Sequence, residues 1–189
     1  MPVEEFDYFF NKDKAQACGN AVEKGMIVNF NYTSPLSNRL NFNSDERENI
    51  QTIYIHGSTF RPKEIIFGYG DDTHPMYSKL ELAGEDEYLR HLKSFQYPLS
   101  ENYLDLMNFL EYGQFEVQIA GHSLGLSDRV LLKSIFEHDN CKCIRLLHRG
   151  RPNEKKIMSS KYMALSRHFD GKVAMRKKIV PFQSHDTMR

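Results

Sequence analysis

The residues with the clearest capacity for chemistry lie at positions 115–128. An alternating apolar stretch, Phe115-Glu-Val-Gln-Ile-Ala120, leads into Gly121-His-Ser-Leu-Gly125, and Asp128 follows at a predicted helix start. A serine between two glycines at a strand-to-helix turn is typical of the nucleophile elbow of α/β-hydrolases. The same turn and the helix N-terminus behind it also offer backbone N–H groups to a phosphate. The segment is therefore consistent with a serine nucleophile or with an anion-binding loop.

A serine hydrolase at Ser123 needs a histidine base and an acidic partner. Asp139 and His148 supply the order Ser, Asp, His, and His56-Gly57 stands where many hydrolases place an oxyanion loop. Asp139 follows the serine by only one predicted helix, with no further strand between them. The hydrolase stays an alternative on this pattern.

Three predicted strands end in amide, imidazole or hydroxyl side chains. These are Asn29 and Asn31 after the first strand, His56 after the second, and His122 and Ser123 after a later one. In sheets of parallel strands the carboxyl ends share one edge, and functional groups gather there. We therefore expect these side chains to surround one crevice.

The elements that position these residues alternate along the chain. Predicted strands lie at residues 26–30, 52–56, 64–68, 115–120 and 143–147. Predicted helices lie at residues 2–23, from 34 onward, and at 85–93, 100–112, 127–138 and 153–169. Alternation of this kind predicts an α/β fold, a mostly parallel sheet with flanking helices. A length of 189 residues fits one domain over residues 1–189.

The charges of the chain balance, with 25 basic and 25 acidic residues. Contacts with the phosphate backbone, which need a net basic face, supply much of the affinity for nucleic acid. Because the charges of this chain balance, no specific nucleic-acid binding is expected. The basic tail is interpreted as a solvated edge; it consists of Lys172, Arg176, Lys177 and Lys178.

The redox and membrane signals both favour a cytoplasmic protein. Three cysteines, an odd number, fit a reducing compartment better than a disulfide framework. Cys141 and Cys143 are interpreted as core packing, and no metal site is expected. No apolar run approaches the roughly 20 residues that span a bilayer, and no signal peptide is recognisable. No membrane association is expected.

Four short motifs occur in a fixed order. They are Phe30-Asn-Tyr-Thr33, Ile55-His-Gly57, Ile65-Ile-Phe-Gly68, and Gly121-His-Ser-Leu-Gly125 followed by Asp128. In this order they resemble the AbiH group of bacterial proteins, associated with phage abortive infection, and more broadly the sirtuin-like superfamily. The resemblance covers residues 25–169. It implies a sirtuin-like, Rossmann-like fold that binds or cleaves NAD or a related nucleotide in antiviral defence.

The resemblance also implies roles for individual residues. Asn31 matches an asparagine near the nicotinamide ribose, and His56 matches a general base that acts on a ribose hydroxyl. Ser123 becomes a ligand contact instead of a nucleophile. The residues implied in nucleotide binding are Asn29, Gly57, Gly121, His122, Ser123 and Asp128.

The N-terminal part departs from the family pattern. Sirtuin-like domains begin with a strand and a glycine-rich turn around the pyrophosphate, and residues before Gly25 show no such segment. We therefore expect the C-terminal portion of an AbiH-like protein, completed by an N-terminal segment, a second chain or a homo-oligomer. Three functions stay open, with and without catalysis: a nucleotide site in phage defence, a serine hydrolase, and a non-catalytic interaction domain.

Overall fold

The computed structural model describes residues 24–33, 49–70, 72–149 and 153–183. The helices predicted at residues 2–23 and from 34 onward lie outside the described residues. The same holds for residues 1–23, where the sequence shows no strand followed by a glycine-rich turn.

Four strands form two parallel pairs. β1 (Gly25–Asn29) pairs with β2 (Ile50–Tyr54), and β3 (Phe115–Ile119) pairs with β4 (Cys141–Leu146). Each pair is a two-stranded sheet in the described part of the chain. The predicted α/β class with parallel strands is confirmed. The predicted strands at residues 26–30, 52–56, 115–120 and 143–147 match these four to within about two residues, which is the usual uncertainty of element ends.

Seven α-helices occur among the described residues. They are α1 (Tyr77–Leu82), α2 (Asp86–Leu89), α3 (Lys93–Gln96), α4 (Glu101–Tyr112), α5 (Arg129–Glu137), α6 (Glu154–Ser166) and α7 (Lys172–Lys178). Short 3-10 turns precede or separate some of them, at Pro62–Glu64, Tyr97–Leu99 and Leu126–Asp128. The helices predicted at residues 100–112, 127–138 and 153–169 are confirmed as α4, α5 and α6.

Two predicted elements were wrong. The strand at residues 64–68 is absent: Pro62 opens a 3-10 turn, and Ile66 N–H donates a single backbone hydrogen bond to the His56 carbonyl at 2.9 Å. A short apolar run can look like a strand in sequence although no partner strand forms a ladder with it. The helix at residues 85–93 is divided into α2 and α3, and α7 was not predicted.

The hydrophobic core packs both sheets against helices α4, α5 and α6. Helix α5 contributes Leu131, Leu132, Ile135 and Phe136, all buried on one face. Their spacing produces the apolar stripe of an amphipathic helix. Helix α4 buries Leu106 and Leu110 in the same cluster, as its sequence stripe predicts. This packing fixes β3, β4 and the loop that follows β3.

Two further expectations concern the packing of the cysteines and the absence of a membrane-spanning segment. Cys141 is buried in the core, which confirms its packing role, and burial raises the pKa of its thiol to about 11. Cys143 is also buried. None of the described helices combines the length and the hydropathy needed to cross a bilayer.

Candidate functional site

A lysine, an aspartate and a histidine meet at the carboxyl ends of the strands. Lys93 Nζ lies 2.6 Å from Asp128 Oδ1, and His56 Nε2 lies 3.1 Å from the same oxygen. The Lys93 and His56 nitrogens are 3.3 Å apart. All three side chains are buried. Together with Tyr97 and His122 they are called the charged cluster below.

His56 reaches the cluster because the chain turns sharply after β2. Ile55 N–H donates to the Asn29 carbonyl at 3.1 Å, which prolongs the contact between β1 and β2. Gly57 then adopts a φ of +76°, where a Cβ would collide with the Glu64 carbonyl. Only glycine adopts this conformation without strain. The turn therefore holds His56 at the carboxyl ends of β1 and β2.

Lys93 and Asp128 arrive from two other segments. Lys93 is the first residue of α3, and its N–H donates to the Tyr69 carbonyl at 2.9 Å. Asp128 ends the 3-10 turn that precedes α5. Val130 N–H, two residues later, donates to the Gly70 carbonyl at 3.0 Å. Backbone hydrogen bonds thus hold residues 69–70 against both α3 and α5, which brings Lys93 and Asp128 close enough to form their ion pair.

The two ring nitrogens of His56 face different partners. Nδ1 lies 3.3 Å from the Phe30 carbonyl oxygen, which can only accept, so Nδ1 carries the hydrogen in the neutral ring. Nε2 is then the acceptor and faces the Tyr97 hydroxyl at 3.1 Å. Asp128 Oδ1 lies 3.1 Å from the same nitrogen, so Nε2 has both a donor and an acceptor within hydrogen-bond distance.

His122 approaches Asp128 from the loop after β3. Its Nε2 lies 3.7 Å from Asp128 Oδ2, and its Nδ1 accepts a hydrogen bond from Leu124 N–H at 3.0 Å. The Phe30 ring lies between the two imidazoles, with its centroid 4.3 Å from that of His122 and 5.4 Å from that of His56. The ends of β1, β2 and β3 therefore converge, as the polar strand ends predict.

The cluster stabilises the ionised form of Asp128. Burial is the largest single influence on its pKa and acts upward, but the contacts with the side-chain nitrogens of His122, His56 and Lys93 outweigh it. The pKa of this carboxyl is consequently held far below the usual range of aspartate. Burial, followed by the negative charge of Asp128, raises the pKa of the Tyr97 hydroxyl, which stays protonated.

The remaining predicted site residues lie around the cluster. Asn29 is buried and accepts hydrogen bonds from Asn31, at 2.9 Å from the backbone N–H and 3.2 Å from the side-chain amide. Asn31, Gly121 and Ser123 are exposed. The structure thus places Asn29 in a supporting position and the other three on a more accessible rim. The rim is defined below as Asn31, Gly121 and Ser123.

Sequence reasoning missed Lys93 and Tyr97. Lys93 lies in a polar segment with no motif, and its carboxylate partner is 35 residues away in sequence. A lysine is rarely buried unless it is paired, so the burial becomes visible only with the fold. Tyr97 is equally isolated in sequence, although its ring stacks on Tyr103 of the predicted α4 stripe.

The geometry around Ser123 gives no support to a serine hydrolase. Among the described residues, no hydrogen bond joins Ser123 to Asp139 or His148. The ring nitrogen Nε2 of His148 faces the Gln183 carbonyl at 3.2 Å. A nucleophile elbow places its serine on a sharp strained turn directly after a strand. Here the positive φ values belong to Gly121 and Leu124, and several residues separate β3 from the next helical turn.

In the described part of the chain, no group of three or more histidine, cysteine or acidic side chains is arranged to hold a metal ion. The charged cluster instead carries its own cation in Lys93. Its available chemistry is proton transfer at His56 in a site where charge is already balanced.

Comparison with known proteins identifies a family. The profile described as Bacteriophage abortive infection AbiH matches residues 4–148. No curated protein and no solved structure matches the chain. The matched span contains all four sequence motifs and every member of the charged cluster, and it begins before the first of those motifs. Since it covers more than half of the sequence, the chain belongs to the bacteriophage abortive infection AbiH family.

Proposed function

We propose that this AbiH family protein takes part in phage abortive infection through the charged cluster, which binds and cleaves NAD or a related nucleotide. The observation that carries the proposal is the contact of buried His56, Lys93 and Asp128 beneath an exposed rim. Buried ionisable groups that converge from several segments are characteristic of active sites. The sirtuin-like character of the motifs suggests the class of ligand.

In this proposal His56 is the general base. Its Nε2 would take a proton from a ribose hydroxyl or from the water that replaces nicotinamide at the ribose carbon, while nicotinamide leaves with the electrons of the glycosidic bond. Asp128, 3.1 Å from Nε2, offsets the positive charge that the imidazole gains. The ammonium of Lys93 keeps this carboxylate ionised. General-base catalysis of this kind contributes roughly 10²–10⁴-fold to a rate.

The rim supplies the contacts for the nucleotide. Gly121 is exposed with a φ of +69°, and a Cβ there would meet nothing within 4 Å. A ligand can therefore approach the backbone closely at this turn. Asn31 and Ser123 offer an amide and a hydroxyl beside it. The predicted completion of the site by an N-terminal segment, a second chain or a homo-oligomer stays a prediction.

The test combines phage challenge of cells that express the protein with NAD turnover by the purified protein. We expect His56→Gln to lower turnover by roughly 10²–10⁴-fold and to abolish protection. Asn31→Ala should weaken both through the loss of a ligand contact. His74→Gln is the matched control, because His74 is an exposed histidine outside the cluster. Circular dichroism and thermal melting would establish that each variant folds.

The non-catalytic interaction domain predicts a different pattern. The hydrogen bonds of His56 and Asn31 would then only hold loops together, so both variants would lose stability and retain protection. Wild-type protein that protects cells but neither binds nor consumes NAD, ADP-ribose or ATP would refute the nucleotide site. It would leave the role in defence intact.

A further inference from the structure

Helices α6 and α7 and the segment after them enclose an apolar groove. Its volume is about 410 Å³. The groove is lined by Lys155, Met158, Tyr162, Met163, Met175 and Phe182. This set is called the α6–α7 groove below. Met158 forms the buried floor, while Met163 is 57% exposed at the edge. The groove is separate from the charged cluster, none of whose members lines it.

The segment that forms the α6–α7 groove is strongly basic. Residues 153–183 contain eight lysines and arginines but only two acidic residues, in a chain whose net charge is zero. Both acidic side chains are already engaged: Glu154 accepts a hydrogen bond from Arg149 N–H, and Asp170 pairs with Lys133 at 2.7 Å. Within residues 153–183, the positive charge is therefore not neutralised by the carboxylates of the segment itself.

Six of the eight basic side chains fall into two groups, which refines the interpretation of the tail as a solvated edge. Lys178 donates to the carbonyls of Phe136 and His138 at the end of α5, and Lys172 donates to carbonyls at the end of α6. These lysines stabilise helix C-termini. A second group is exposed and has no carboxylate partner in the described part of the chain: Lys155, Lys156, Arg176 and Lys177.

We propose that the α6–α7 groove binds an acidic amphipathic helix of a protein partner. Methionine side chains are flexible and polarisable, so a groove lined by them adapts to the apolar face of a helix. Lys155, which lines the groove, then faces an acidic flank of that helix, and the other exposed lysines and arginines steer its approach. The family match ends at residue 148, so this groove lies outside the matched region.

The shape of the groove distinguishes this partner from two other polyanions. A nucleic-acid backbone would pair its phosphates with the basic side chains but would leave the methionine floor of the groove uncovered. A membrane surface favours apolar side chains that protrude, whereas Met158 is only 3% exposed and lies at the base of a concavity. An acidic amphipathic helix would cover the methionine floor with its apolar face and pair its carboxylates with the basic side chains.

The probe is a fluorescent helical peptide of about four turns, with leucines on one face and glutamates on both flanks. Fluorescence anisotropy would measure its affinity for the full chain at low and high salt. We expect Met163→Glu to weaken binding by roughly tenfold or more. The double variant Arg176→Glu/Lys177→Glu should weaken it chiefly at low salt, where charges are least screened. Both variants change exposed side chains, so the fold should persist.

Two controls match these variants. Lys63→Glu/Lys79→Glu makes the same change of charge on exposed lysines far from α6 and α7 in sequence, and it should bind like the wild type. A scrambled peptide of equal composition lacks the apolar face and should bind more weakly. Equal binding of both peptides, or unchanged affinity in Met163→Glu, would overturn the proposal. Tighter binding of single-stranded RNA or anionic vesicles, insensitive to Met163→Glu, would do the same in favour of a purely electrostatic surface.

Discussion

His56 and His168 are both buried, but their surroundings differ. His56 contacts a lysine, an aspartate and a tyrosine within 3.3 Å. His168 is fully buried, and its Nε2 donates to the Leu124 carbonyl at 3.0 Å. Its Nδ1 has no hydrogen-bond partner within the described residues. Burial, its largest influence, lowers the pKa of His168.

The two environments have different consequences for the same side chain. Around His56, proton donors and acceptors are arranged so that either protonation state has partners. Around His168, the edge-on ring of Phe136 and the core favour the neutral imidazole. Burial of a histidine therefore does not by itself indicate function, whereas a set of matched charged partners does. The charged cluster and the core around His168 can be separated by experiment.

The largest effect should follow from Asp128→Asn. This change leaves the Lys93 ammonium buried without its counter-charge, because the asparagine oxygen that can still accept the 2.6 Å hydrogen bond is neutral. Breaking a buried pair in this way costs about 3–5 kcal/mol. Urea denaturation would measure the loss in the free energy of unfolding. We also expect nucleotide turnover to disappear, since His56 loses its carboxylate.

A double variant separates the charge from the packing. Lys93→Met/Asp128→Leu removes both charges and keeps apolar volume, so it should be more stable than Asp128→Asn alone. A double variant that is less stable than Asp128→Asn would show that the ion pair itself is not what the single change disrupts.

A smaller loss of stability should follow from Leu165→Ala on the apolar side. Leu165 is fully buried in the core next to His168. Leucine-to-alanine changes in cores cost about 2–5 kcal/mol because a cavity remains. Below its melting temperature, however, the variant should retain turnover and phage protection. Loss of activity in a well-folded Leu165→Ala protein would mean that the two regions are coupled.

The sequence predicts much of the helical framework because helical packing leaves a local signature. The stripe in α4 and the amphipathic pattern of α5 each lie within a dozen residues, and both helices bury those faces. The meeting of the polar ends of β1 and β2 was also predictable, because paired parallel strands bring their carboxyl ends to one edge. β3 belongs to the other pair, and it is the tertiary structure that brings His122 and Asp128 to His56.

The rest of the site depends on contacts that are distant in sequence. Lys93, at the start of α3, is buried because the fold places it next to Asp128, at the start of α5. No local pattern in the sequence around Lys93 indicates this ion pair. Residues 64–68 have the composition of a strand but lack a partner strand. In both regions, tertiary packing decides a structure that local propensity leaves ambiguous.

Two glycines allow the loops of the charged cluster to be compared with each other. Gly57→Ala places a side chain against the Glu64 carbonyl at a φ of +76°, so it should combine a steric clash with backbone strain. Gly121→Ala has a similar φ but open space around it, so only the cost of a left-handed residue applies, about 1–2 kcal/mol. Thermal melting should rank Gly57→Ala as clearly less stable. Equal melting temperatures would contradict the tight turn that holds His56.

The smallest effect should be the pH dependence contributed by His168. Its pKa in the folded protein lies below that in the unfolded chain, about 6.5. As the pH falls through this value, the unfolded chain binds a proton that the folded protein does not, so stability is lost. His168→Leu removes this contribution and the hydrogen bond to Leu124. Urea midpoints of the wild type should therefore fall more than those of the variant between about pH 7.5 and about pH 5.5, where His168 begins to titrate only on unfolding. Because every other histidine is the same in the wild type and the variant, the difference isolates His168. Parallel curves would show that the buried imidazole accepts a proton within the fold.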